Sequence, residues 1–87
     1  GDLMHGATIH YVDEGLDSGP IIAQGALKID PSQSEAKLAQ RIHKIEHALL
    51  PKVIAEIAKE LISLKGKEVK FESKSYFGKN NMEFFNV

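Results

Sequence analysis

The chain has 87 residues, of which 43% are hydrophobic and 26% are charged, and its formal net charge is −1. The length allows at most one domain, the composition is typical of a globular protein, and the charge balance argues against nucleic-acid or anionic-membrane binding. The chain contains no cysteine, which excludes disulfide and thiolate chemistry and is typical of a cytoplasmic protein.

The first part of the chain predicts two strands joined by an acidic loop, after a loop-like start. Residues 8–12 are rich in β-branched and aromatic side chains, and residues 21–29 are mainly apolar, so both segments are predicted strands. Residues 13–20 contain three carboxylates, two glycines and a proline, a composition typical of turns. This connection is longer than a tight hairpin needs, which is typical of a binding loop. Gly25 indicates a bulge or a close backbone approach.

The next segment has the periodicity of an amphipathic helix. Apolar residues recur at helical spacing from residue 38 to residue 49, and the pattern continues beyond Pro51 to residue 64. Because the pattern runs through the proline, we predict one helix with a kink near residues 47–50. Ser32 and Ser34 are both candidate N-caps.

The remainder of the chain gives weaker signals. Residues 65–67, Lys-Gly-Lys, are predicted to end the helix, and residues 68–72 are predicted to form a short third strand. Residues 1–72 are predicted to be the folded part. Residues 73–87 form a tail that is either docked by its aromatic side chains or partly disordered.

Two polar residues of the predicted helix attract attention. His43 and Glu46 are three residues apart and therefore share a side of the helix. Each is one residue, about 100° of rotation, from a residue of the apolar stripe. They are therefore predicted to flank the buried face, where both could reach a ligand held over the sheet.

Several segments together resemble the C-terminal part of the phosphoribosylglycinamide formyltransferases, a group within the formyltransferase family. They are the strand His10-Tyr11-Val12, the loop at residues 13–20, the run Ile21-Ile22-Ala23-Gln24, and the helix motif Arg41-Ile42-His43-Lys44-Ile45-Glu46-His47 followed by Pro51. The strand and loop are shared with the wider family, whereas the helix motif is the more specific sign. The resemblance covers roughly residues 6–64.

The resemblance implies a Rossmann-like α/β fold, to which this chain would contribute two to three strands and one long Pro-kinked helix. It implies transfer of a formyl group from the co-substrate 10-formyltetrahydrofolate to glycinamide ribonucleotide in de novo purine biosynthesis, without a metal. The family's other catalytic residues and its phosphate-binding loop precede the matched part. The resemblance therefore implies a C-terminal fragment that is inactive alone, with the N-terminal half of the enzyme as its partner. A homo-oligomer is also possible.

The resemblance also implies roles for individual residues. Asp17 matches the catalytic aspartate, which in the family pairs with a histidine. His43 and Glu46 match positions that contact glycinamide ribonucleotide, and His10 matches a structural histidine near the site. The segment that binds the folate co-substrate matches Asp13, Glu14, Gly15, Leu16 and Asp17.

Other interpretations stay open at this stage. Taken by itself, Asp17 before Ser-Gly is more typical of a turn-capping residue. The four histidines do not have the spacing of a zinc motif, and His47 is interpreted as a helix-surface or packing residue. One alternative function is that of a formyltetrahydrofolate hydrolase, in which water replaces the amine. The other is a non-catalytic module that binds a ligand or a partner protein.

Overall fold

The computed structural model describes residues 4–11 and 19–87. These residues form one long helix and five strands, so the predicted two to three strands are too few. The bounds are β1 Met4–His10, β2 Ile21–Lys28, α1 Glu35–Ala58, β3 Ile62–Lys65, β4 Glu68–Phe71 and β5 Met82–Phe84. In the described part of the chain, one sheet has the order β1-β2-β5 and a second sheet consists of β3 and β4.

β1 and β2 are antiparallel, and β1 begins earlier than the sequence predicts. Met4 pairs with Lys28 and His5 pairs with Leu27, so these two residues belong to a strand and not to the predicted loop. Cross-strand pairing outweighs the weak strand preference of this segment. The register shifts between Ile9 and His10, which places an irregularity beside the acidic loop.

α1 is a single helix that contains Pro51, as the apolar pattern predicts. Ser34 is the N-cap, and its side-chain oxygen accepts a hydrogen bond of 3.2 Å from the backbone N–H of Lys37. The other candidate cap, Ser32, instead donates from its hydroxyl and backbone N–H to the Asp30 carboxylate.

No helix in residues 4–11 and 19–87 has the length and apolar character to cross a membrane.

The helix ends at Ala58 rather than near residue 64. The backbone N–H of Leu61 donates to the Glu56 carbonyl at 2.8 Å, and that of Glu60 donates to the Ile57 carbonyl at 3.0 Å. Glu60 has a φ of 60°, so these bonds form a Schellman motif with glutamate at the left-handed position. Glycine usually marks such an end, and its absence explains why the sequence predicts a longer helix.

The Lys-Gly-Lys segment at residues 65–67 lies in a β-hairpin and does not cap a helix. Lys65 pairs with Glu68, which leaves a two-residue turn between β3 and β4. Gly66 has a φ of 63°, as expected for the first central residue of a type II′ turn. The apolar residues that seemed to continue the helical stripe therefore belong partly to β3. The third predicted strand, residues 68–72, is β4.

α1 packs across β1 and β2, and Gly25 allows the close approach that the sequence suggested. A Cβ built on Gly25 would lie 2.4 Å from Cγ2 of Ile45 and 2.8 Å from Cε1 of Phe85. Glycine therefore lets the helix and the C-terminal segment sit directly on the sheet. The buried apolar core consists of Ile22, Ala23, Leu27, Ile45, Leu49, Val53, Ile62 and Phe77.

Residues 73–87 are docked on the rest of the chain, which is one of the two alternatives that the sequence left open. Phe77 is completely buried, and β5 pairs in parallel with β2. The Glu56 carboxylate accepts hydrogen bonds from the hydroxyl of Ser75 and, at 3.1 Å, from the backbone N–H of Tyr76. This carboxylate fixes the turn that delivers Phe77 to the core.

Candidate functional site

The two ends of the acidic loop are held together where β1 ends and β2 begins. The backbone N–H of Tyr11 donates to the carbonyl of Pro20 at 3.0 Å. A Cβ built on Gly19 would lie 1.9 Å from the carbonyl oxygen of Tyr11, so the backbones approach too closely for any other residue. The residues on either side of the predicted loop are therefore held against each other.

The residues with the most important predicted roles lie outside the described part of the chain. They are the predicted catalytic residue Asp17 and the other predicted folate-binding residues, Asp13, Glu14, Gly15 and Leu16. Their roles stay predictions. The structure describes the residues that flank this segment, Tyr11 on one side and Gly19 and Pro20 on the other.

His10 lies at the end of β1. Its Nδ1 is 2.9 Å from the carbonyl oxygen of Tyr11 and 3.5 Å from the backbone nitrogen of Gly19. The two hydrogen bonds cannot form at the same time. Nδ1 must carry a proton to donate to the Tyr11 carbonyl, and it must lack one to accept from the Gly19 N–H. The shorter distance favours the state in which Nδ1–H donates to Tyr11. In either state the ring bonds to the backbone at the end of β1, as expected of a structural histidine.

His43 and Glu46 contact each other on one side of α1. Nδ1 of His43 lies 3.5 Å from Oε2 of Glu46, and the side chains are 69% and 46% exposed, respectively. The contact is an ion pair only when the imidazole is protonated. Ile45, between them in sequence, is buried in the core. Both polar side chains are thus accessible to a ligand, while Ile45 anchors their helix in the core. His43 is more exposed than its predicted position beside the buried face suggests.

A groove of about 140 Å³ opens next to this pair, lined by Glu46, His47, Leu50 and Pro51. His47, interpreted from sequence as a surface or packing residue, shares the groove wall with Glu46. Its ring centroid is 6.5 Å from that of His43. The spacing of the two histidines and the nearby proline could have indicated this position. Because Pro51 has no N–H, the carbonyl of His47 receives no hydrogen bond from the residue four positions on.

The groove combines a carboxylate and an imidazole with two apolar walls. The carboxylate can accept hydrogen bonds from ligand hydroxyl or amino groups, and the imidazole can donate or accept. Over residues 4–11 and 19–87, no three histidine, aspartate or glutamate side chains are grouped so that they could hold a metal ion. The arrangement is suited to recognition of a polar ligand.

Comparison with known proteins identifies relatives of this sequence. Residues 1–54 match the family model described as formyl transferase. The chain is 51% identical over 57 residues to phosphoribosylglycinamide formyltransferase of Bacillus subtilis (strain 168), covering 66% of this chain and 29% of the relative. It is 38% identical over 58 residues to the enzyme of the same name from Escherichia coli (strain K12), covering 67% and 27%. The chain thus spans less than a third of the length of these two curated relatives.

A solved structure extends the similarity to the C-terminal segment. The chain resembles phosphoribosylglycinamide formyltransferase from Anaplasma phagocytophilum with a TM-score of 0.80 and 32% identity, covering 95% of this chain and 39% of that one. The unmatched 5% of 87 residues is about four residues, so the match includes most of residues 73–87. The sequence offered no resemblance for this segment. The family model matches more than half of the length of this chain, and the chain therefore belongs to the formyl transferase family.

Proposed function

We propose that this chain contributes the folate-binding loop and the catalytic carboxylate of an enzyme that formylates glycinamide ribonucleotide in purine biosynthesis. The observation that carries the proposal is the family match over residues 1–54, which spans the whole acidic loop with Asp17. The proposed acceptor follows from the 51% identity to a protein named phosphoribosylglycinamide formyltransferase. The fixed base of the loop, with Tyr11 bonded to Pro20, is consistent with a loop that holds a co-substrate in one position.

The proposed chemistry requires a proton acceptor near the reacting amine. The amine of glycinamide ribonucleotide attacks the formyl carbon of 10-formyltetrahydrofolate and forms a tetrahedral oxyanion with an attached ammonium. The ammonium proton must leave, the bond from the formyl carbon to N10 must break, and N10 finally gains a proton. In the proposal, the Asp17 carboxylate supports a histidine that carries this proton, because a neighbouring carboxylate stabilises the imidazolium form.

The substrate side of the proposed site is the helix surface around Glu46. The Glu46 carboxylate is half-exposed and lines the groove, so it can accept hydrogen bonds from the hydroxyl or amino groups of a ribonucleotide. His43 contacts Glu46 but does not line the groove. We assign Glu46 the stronger role in binding and His43 a weaker one.

We further propose that the chain corresponds to the C-terminal part of such an enzyme. It covers 29% of the Bacillus subtilis relative. The resemblance implies that the family's catalytic histidine and phosphate-binding loop precede the matched part. The 87 residues would then hold half of the site and be inactive alone. Measurable transformylation by the isolated chain would contradict this part of the proposal.

The test is a formyl-transfer assay on the full product of the encoding gene. Loss of 10-formyltetrahydrofolate is followed with and without glycinamide ribonucleotide, for the wild type and for Asp17→Asn. The Asp17→Asn variant removes the charge without changing the size of the side chain. Asp30→Asn is the matched control. Among the side-chain hydrogen bonds that the structure describes, the Asp30 carboxylate accepts only from Ser32 in the same turn.

Each outcome separates the candidate functions. Turnover that requires the nucleotide, collapses in Asp17→Asn and survives in Asp30→Asn supports the transformylase. Turnover that is indifferent to the nucleotide indicates the hydrolase alternative, in which water attacks the formyl carbon. Absence of turnover in the full gene product indicates a non-catalytic ligand-binding or interaction module.

A further inference from the structure

Arg41 of α1 donates hydrogen bonds to three parts of the chain that are far apart in sequence. Its Nε donates to the main-chain oxygen of Val87 at 2.6 Å, its Nη1 to Oε1 of Gln33 at 2.9 Å, and its Nη2 to the carbonyl of Lys28 at 3.0 Å. This one side chain therefore joins the helix to the C-terminal segment, to the turn before the helix and to the end of β2.

Two of the groups that Arg41 contacts are themselves fixed to the sheet. Lys28 is the last residue of β2. Close to Val87, the backbone N–H of Phe85 donates to the carbonyl of Ala26 at 2.7 Å, so the C-terminal segment is attached to the same strand. The guanidinium therefore connects α1 to atoms whose positions are set by β2.

The first turns of α1 are held by few apolar contacts. Within α1, which the structure describes throughout, the first fully buried side chain is Ile45. Leu38 and Ile42 are partly buried against the core, and the other residues from 35 to 44, except Arg41, are exposed. Helix ends with so little burial open easily. The hydrogen bonds of Arg41 supply a fixation that burial does not supply there.

The proposed substrate residues follow closely after Arg41 on the same helix. His43 is two residues and Glu46 five residues further on, which corresponds to about 3 Å and about 7.5 Å along the helix axis. Both side chains are exposed, so packing in the core does not fix them directly. The direction of the helix between Arg41 and Ile45 therefore determines where the two side chains meet a ligand.

We infer that Arg41 is a positioning residue for the binding of glycinamide ribonucleotide. The inference rests on the proposed function, because it takes His43 and Glu46 to contact this substrate. Each guanidinium nitrogen of Arg41 already donates to a protein oxygen, which favours fixation of the helix over contact with the anionic substrate. A planar guanidinium suits this role because its donors point in fixed and separate directions, whereas the ammonium of lysine is a single compact charge.

The first test is steady-state kinetics of the full gene product. Arg41→Met removes the three hydrogen bonds, and Lys37→Met is the matched control, because it removes an exposed cation one turn earlier on the same helix. Arg41→Met should raise the KM for glycinamide ribonucleotide about tenfold and change kcat by less than about threefold. The KM for 10-formyltetrahydrofolate should stay constant, and Arg41→Lys should recover only part of the loss. A KM for the nucleotide equal to that of Lys37→Met would overturn the inference.

Gln33→Leu separates positioning from direct contact between Arg41 and the substrate. This change removes one acceptor of Arg41 and leaves the guanidinium in place. It should raise the KM for the nucleotide about threefold in the wild type and have little further effect in Arg41→Met, because the two residues share one interaction. A raised KM in Arg41→Met together with an unchanged KM in Gln33→Leu would overturn the inference, since Arg41 would then contact the substrate itself.

Hydrogen exchange of the backbone amides provides a readout that is independent of formyl transfer. In the full gene product, the amides of residues 38–42 should exchange about tenfold faster in Arg41→Met than in the wild type, because the first turns of α1 open more often. The amide of Val53, in the buried part of the helix, should keep its rate in Arg41→Met, and all these amides should keep theirs in Lys37→Met. If Arg41→Met does not fold, Gln33→Leu carries both measurements.

The two readouts separate the inference from the proposed function. Faster exchange in Arg41→Met, in a protein whose wild type does not formylate glycinamide ribonucleotide, would count against the proposed function and leave the fixation of the helix standing. An active wild type, with equal exchange rates in the wild type and in Arg41→Met, would count against the inference and leave the proposed function standing.

Discussion

Gly25 of β2 and Ile45 of α1 lie directly against each other where the sheet meets the helix. A Cβ on Gly25 would lie 2.4 Å from Cγ2 of Ile45, far inside ordinary contact distance. Ile45 is completely buried and lies between His43 and Glu46 in sequence. The absence of a side chain at position 25 therefore sets the distance between the sheet and the part of α1 that carries the proposed substrate residues.

Gly25→Ala should destabilise the chain by about 1–3 kcal/mol, because the added methyl group overpacks the contact between sheet and helix. The measurement is urea denaturation followed by circular dichroism. Ile45→Ala removes Cγ2 and creates a cavity, and is destabilising by itself by about 2–5 kcal/mol. In the Ile45→Ala background, Gly25→Ala should lower the free energy of unfolding by less than it does in the wild type, because the two side chains would occupy the same space. Strictly additive effects would show that the contact is not as close as described.

Glu60→Gly should stabilise the chain by about 1 kcal/mol, because Glu60 occupies the left-handed region that costs non-glycine residues energy. Glycine also gives the unfolded chain more conformational freedom, and this offsets part of the gain in stability. Glu72→Gly is the control, since among the described non-glycine residues only Glu60 has a positive φ. Thermal or urea unfolding of the three proteins measures the difference. A Glu60→Gly variant no more stable than Glu72→Gly would be evidence against the Schellman ending of α1.

Glu46→Gln in the full gene product should raise the KM for glycinamide ribonucleotide by about tenfold or more, as expected for loss of a charge-assisted hydrogen bond. His43→Gln should change it by less than about threefold, because His43 is largely exposed and outside the groove. Glu35→Gln, in the first turn of the same helix, is the control. The KM for 10-formyltetrahydrofolate should stay constant in all three variants. The assignment of Glu46 fails if its KM for the nucleotide equals that of the control.

Alkaline pH should weaken the docking of the C-terminal segment through Tyr76. Hydrogen bonding to the neighbouring Glu83 carboxylate, together with burial, raises the pKa of Tyr76 above its usual value of 10.0. Because the pKa of Tyr76 is raised in the folded state, its interaction with Glu83 contributes fully to stability at pH values below the pKa of this tyrosine in the unfolded chain. It is lost as the pH rises through the folded pKa.

Tyr76→Phe removes this titration, so its free energy of unfolding should fall less steeply than that of the wild type above about pH 10. Glu83→Gln should have a similar effect by removing the cause of the shift. Urea unfolding at several alkaline pH values measures the slopes. Identical slopes in the wild type and both variants would contradict a coupling between Tyr76 and Glu83.

Sequence patterns predicted the parts of the fold whose signals are local. The stripe from residue 38 to residue 49 predicted α1, and its continuation past Pro51 predicted one helix rather than two. β2 and β4 were predicted within a residue of their observed bounds. Gly25 was assigned a close approach or a bulge, and the close approach is the one observed. In each case neighbouring residues alone carry the information.

The errors occur where distant residues decide the structure. β1 extends to Met4 because β2 pairs with it, although Met-His-Gly has little strand preference. The end of α1 lacks the expected glycine, so Leu61 and Leu64 seemed to continue the helix. His47 is exposed, in agreement with its interpretation as a surface residue, and the structure adds that it lines a groove with Glu46.

The sequence by itself indicated the family and the helix that carries His43 and Glu46, because each depends on residue types at short spacing. The acidic loop with Asp17 stays a prediction. Only the tertiary structure decided that the C-terminal segment is docked, with Phe77 in the core and β5 beside β2. The physical reason is that burial and strand pairing depend on contacts between residues far apart in the chain, which no local pattern specifies.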